Sequence, residues 1–140
     1  MTPWSFLLGD WVGRGSLRGG DLDARTAVTA VFGDVVQSEM VCSVSGEIVH
    51  QERILWFVHA DTGPSAVSVS AGGRSTHWTV REHAPGHLEM TPGNCEPPER
   101  RSLSWTLILR PDSTLHETYR EGDPEDVPMV ELQHVRKRTK

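Results

Sequence analysis

One stretch near the start, Gly9-Asp10-Trp11-Val12-Gly13-Arg14-Gly15-Ser16-Leu17, constrains this chain more than any other. It sets a large aromatic among glycines in a segment that otherwise reads as a strand. A glycine inside a strand marks a sharp bend or a close approach of another backbone. In a small closed barrel such a segment serves as the seam. The tryptophan plugs one end, and the glycines let the strand serve two neighbours. Gly9, Trp11 and Gly13 are therefore assigned to barrel closure, behind a short apolar turn, Trp4-Ser5-Phe6-Leu7-Leu8.

The rest of the chain supplies strands to close around that seam. Helical periodicity is nearly absent, and period-two alternation recurs. After a Gly-Gly hairpin tip at Gly19-Gly20, strands are expected near Thr26 to Phe32, Val35 to Val44 and Ile48 to His59. Shorter ones follow at Ala66 to Ser70, Thr76 to Glu82 and His87 to Thr91. The stretch Pro92 to Arg100 reads as the longest loop. Leu103, Trp105, Leu107 and Leu109 then give the cleanest alternation. Thr114 to Arg120, a polar loop Glu121 to Asp126, and a last strand near Pro128 to Arg138 complete the chain. About ten short strands joined by hairpin-length connections predict an all-β, antiparallel up-and-down barrel in one domain, residues 1–140. No long crossover suggests a sandwich instead.

Charge and cysteine content exclude several classes. The net charge of -5 argues against a nucleic-acid grip, which needs clustered Lys and Arg. The one basic cluster, Arg136-Lys137-Arg138 with Lys140, reads as a solvated end. Cys42 and Cys95 make neither a disulfide framework nor a zinc site and are expected as reduced thiols. No signal peptide is recognisable and no apolar run is long enough to span a membrane, so a cytoplasmic protein without membrane partners is expected.

Gly9-Asp10-Trp11 resembles the G-x-W signature of the calycin superfamily, which includes lipocalins and fatty-acid-binding proteins. That resemblance implies an arginine from the last strand packed over the tryptophan. Arg136, which shares a face with Val130, Leu132 and His134, is the candidate. Only Arg18 to Asp23 separate the first two strands, too few for a helical lid, and no C-terminal helix is expected after the last strand. The longer string Phe6 to Gly15 resembles the nitrobindin type, a lidless ten-stranded barrel. That second resemblance implies haem b at the barrel mouth, iron ligation by His134 on the last strand, and peroxynitrite isomerisation.

Read from the residues alone, Met40, Trp56, Trp78, Trp105 and His134 are the candidate ligand-binding positions, because planar ligands stack on indole rings. His83 and His87 flank the Pro85-Gly86 turn and can face each other, but two histidines alone make a poor metal site. Catalytic motifs are absent. Glu39, Glu52 and Glu117 are possible cavity bases, and His77 a possible partner. Three functions stay open: a module binding a small hydrophobic or planar molecule, a side-chain-filled barrel acting through its surface or as a homodimer, and a non-haem enzyme.

Overall fold

Alternation in these segments divides each strand into an apolar face and a polar one, and ten such strands can bury their apolar faces together by closing on themselves. The computed structural model, which describes residues 2–95, 103–121 and 129–137, is that closed antiparallel barrel. Its strands are β1 (Gly9–Leu17), β2 (Gly20–Phe32), β3 (Val35–Val44), β4 (Glu47–His59) and β5 (Gly63–Ser70), followed by β6 (Ser75–Ala84), β7 (His87–Cys95), β8 (Leu103–Leu109), β9 (Leu115–Glu121) and β10 (Val130–Arg136). Each pairs with its sequence neighbours, and β1 pairs with β10 to close the ring. A single 3₁₀ turn, Ser5–Leu7, precedes β1. No helix among the described residues is long and apolar enough to cross a membrane.

Several strands run past their expected bounds, β2 and β7 the furthest. β2 begins at Gly20, because Arg18 and Gly19 alone adopt the positive φ of the hairpin tip. β7 continues through Pro92 and Gly93, residues expected in a loop. Pro92 lies opposite Trp78 where the register shifts, and a bulge tolerates a residue that has no N–H to donate. The remainder of that loop, most of the loop expected at Glu121 to Asp126, Arg138, Lys140 and the side chain of Cys95 lie outside the described residues.

The seam is closed by absent side chains. A Cβ on Gly15 would lie 1.7 Å from the carbonyl oxygen of Glu131 and 2.9 Å from Cα of Leu132, both backbone atoms of β10. A Cβ on Gly13 would lie 2.4 Å from Nδ1 of His134. Only glycine lets β10 pair this closely with β1. At Gly9, Nη1 of Arg136 occupies the corresponding space, 2.8 Å from where a Cβ would be.

Arg136 lies over Trp11, its guanidinium carbon 4.3 Å from the ring centroid. Its Nη2 donates to the carbonyl of Phe6 at 2.7 Å and its Nη1 to that of Leu8. Trp11 in turn donates to the carbonyl of Leu7 at 2.8 Å, so the 3₁₀ turn, β1 and β10 are locked as one floor.

Candidate functional site

The inward-facing residues form two regions. The floor half holds Trp4, Leu7, Trp11, Val28, Val36 and Trp56, all buried. It leaves a cavity of only about 30 Å³, bordered above by Met40, Trp105, Glu117 and His134. The other half is hollow. As bounded by the described residues, its cavity measures about 590 Å³.

Small and polar side chains create that space. β3 contributes Cys42, β5 Ser68 and Ser70, and β6 Thr76, all on its lining. Leu22 of β2 and Leu132 of β10, which flank Gly15 of β1, form an apolar wall, and Tyr119, Trp78 and Trp105 form the aromatic one. The aromatics continue a column through the barrel. Ring centroids of Trp4 and Trp56 are 6.1 Å apart, Trp56 and Trp105 5.3 Å, Trp105 and Trp78 5.4 Å, and Trp78 and Tyr119 6.1 Å. Such tilted and edge-to-face pairs are the favoured aromatic geometry.

Each buried indole N–H has a partner, as burial requires. Trp56 donates to Oγ of Ser38 at 2.9 Å, Trp78 to Oγ of Ser68 at 2.9 Å, and Trp105 to Oε2 of Glu117 at 2.7 Å. Glu117 is the pivot between the two regions. It borders both cavities and is only 6 % exposed. Its other oxygen, Oε1, is 2.8 Å from Nε2 of His134. Nδ1 of that histidine is buried with no hydrogen-bond partner among the described residues. A buried N–H without an acceptor costs more than a bare lone pair, so the ring hydrogen belongs on Nε2, which donates to Glu117.

Cys42 reports on the surroundings. Burial, followed by the nearby carboxylates of Glu117 and Glu52, pushes its thiol from an ordinary 9.0 up to about 12. Each cause disfavours the thiolate. Glu52, also on the cavity lining, accepts from His50 at 3.3 Å across Oε2.

No family model matches the chain, and no curated protein matches it in sequence.

The positions expected from sequence separate into three sets. Trp78, Trp105 and Met40 line the larger cavity. Trp56 does not reach it. The ring is fully buried in the floor, where Val36 and Ala66 are its ladder neighbours.

His134, expected as a haem-iron ligand, also lies below the larger cavity. Its Nε2 is engaged by Glu117, its Nδ1 is packed against Gly13, and the adjoining space of about 30 Å³ holds a water or two, not a macrocycle. The residues present do not fit haem held through this ring.

Of the candidate bases, Glu52 and Glu117 face inward. Glu39 and His77 are exposed on the outer face, and Glu39 pairs there with Arg53 at 3.4 Å. His83 and His87 do face each other, 4.9 Å between centroids, at the barrel's exterior. No group of three or more metal-ligating side chains occurs among the described residues.

Sequence reasoning passed over Cys42, Ser68, Thr76 and Tyr119 as lining. The available signal was parity. Glu52 is in phase with Ile54 and Trp56, and Glu117 with Leu115 and Tyr119, so each carboxylate had to share its neighbours' inward face.

Proposed function

We propose that the protein is a binding module that holds a small hydrophobic or planar molecule in the open half of its barrel. The cavity of about 590 Å³ carries this reading. Ligand sites typically enclose about 300–1,000 Å³, with mostly apolar walls and a few fixed polar groups. Met40, Leu22, Leu132 and the Trp78–Trp105–Tyr119 face supply the apolar walls. Glu117, held at both oxygens by Trp105 and His134, supplies a polar group that ordering would not have to immobilise further. The resemblance of Gly9-Asp10-Trp11 to calycins supports placing the chain among ligand-binding barrels. A solidly packed barrel acting through its surface would not leave this volume.

The test is a fluorescence titration with the neutral apolar probe N-phenyl-1-naphthylamine. Saturable emission, excited through Trp78 and Trp105, is expected. Thr76→Phe directs a phenyl ring into the cavity from β6 and should weaken binding at least about tenfold, because the cavity floor and walls cannot move aside cheaply. A folded protein that gives no saturable emission would remove the reading.

A further inference from the structure

The charge distribution inside the cavity carries the reading one step further, to the chemical class of ligand, and this step rests on the binding function proposed above. Two carboxylates, Glu117 and Glu52, line the cavity. Glu117 is buried at its inner end, against the floor. Among the described residues, the one lysine or arginine on the lining is Arg74, which is exposed in the turn between β5 and β6. A carboxylate or phosphate drawn into this space would approach Glu117 with no lysine or arginine among the described residues inside to balance it; the lining histidine, His50, is already engaged with Glu52. In a site of low dielectric that repulsion is weakly screened. A neutral apolar molecule would gain nothing from either acid.

An ammonium group would gain from both, and from the rings around them. Trp78, Trp105 and Tyr119 present an aromatic wall to the same space, and aromatic faces attract cations as carboxylates do. Glu117 already accepts one hydrogen bond at each oxygen, yet a carboxylate has about four acceptor positions, so capacity remains for a ligand N–H. We propose that the cavity selects a lipophilic amine, its apolar body between Met40, Trp78 and Trp105 and its ammonium directed to Glu117 and Glu52.

Calorimetric titration with three probes of one shape tests this: 2-naphthylmethylamine, 2-naphthalenemethanol and 2-naphthoate, at pH 7. The amine is expected to bind at least about tenfold tighter than the alcohol, as a charge-assisted hydrogen bond allows, and the naphthoate weakest. Glu117→Gln and Glu52→Gln keep side-chain shape and should each reduce the amine-to-alcohol ratio. Should Glu117→Gln fail to fold, Glu52→Gln still carries the comparison. An alcohol that binds as well as the amine, or a ratio unchanged by both substitutions, overturns amine selection while leaving the binding reading intact. Failure of all three probes overturns both.

Discussion

Trp4, Leu7, Trp11 and Trp56 fill one half of the barrel down to a residual cavity of about 30 Å³, whereas Leu22, Cys42, Ser68 and Thr76 leave about 590 Å³ in the other. Both halves are lined by the same strands, so topology does not decide which is hollow. Side-chain size does. β1 carries Trp11 at the floor and Gly15 above it, and β4 carries Trp56 at the floor and Glu52 above. The floor half spends its residues on stability, while the open half keeps polar groups inside at a cost that packing elsewhere must offset.

That contrast breaks most severely at the seam. Gly15→Ala places a methyl group within 1.7 Å of a backbone oxygen, and no rotamer change relieves a clash with backbone. Separation of β1 from β10 is the remaining response, with an expected loss of at least about 3 kcal/mol in urea denaturation. Trp11→Ala should cost about 3–5 kcal/mol, since it empties a buried site whose N–H and ring face are both engaged. A loss below about 1 kcal/mol from either change would mean that the floor is not the stabilising half.

Arg136→Ala is the next smaller break. It removes the cation from Trp11 and two donors from the carbonyls of Phe6 and Leu8. Because Arg136 is an exposed residue, the expected cost is about 1–3 kcal/mol. Arg136→Lys should recover little of it, for an ammonium cannot lie flat on the ring and reach two carbonyls together. Full recovery by lysine would show that charge alone matters there.

The two halves were unequally legible in the sequence. The floor announces itself: Gly9-Asp10-Trp11 is a local pattern, and alternation along the last strand brings Arg136 into phase with His134. β1, β3 and β8 could be bounded to the residue, because Gly-rich turns and clean alternation agree there. The open half has no such signature. Its lining comes from residues far apart in the chain, such as Cys42, Thr76 and Glu117, and convergence of that kind depends on register around the whole ring. His134 shows the limit most clearly. Its phase with Leu132 was readable, but neither its inward direction, which hangs on register, nor its height beside Glu117 was, and height is what withdraws it from the larger cavity.

The smallest effect on stability at neutral pH, and the finest probe of the contrast, belongs to Cys42. Its thiol is pushed up to about 12, chiefly by burial and then by Glu117 and Glu52. Below 9.0 the thiol is uncharged in both the folded and unfolded chain, so nothing is lost. Between 9.0 and about 12 the unfolded chain releases a proton that the folded chain retains, and stability should fall with rising pH across that window. The sign follows from the folded value lying above the unfolded one. In a Cys95→Ser background, alkylation by iodoacetamide at pH 8 should run on the order of a thousandfold slower than for a free thiol, in proportion to the thiolate present. Glu52→Gln should accelerate it only modestly, because burial is the larger cause. Alkylation at the free-thiol rate would mean that the Cys42 thiol is neither buried nor held up by its neighbouring acids, and the cavity wall beside it would be arranged differently.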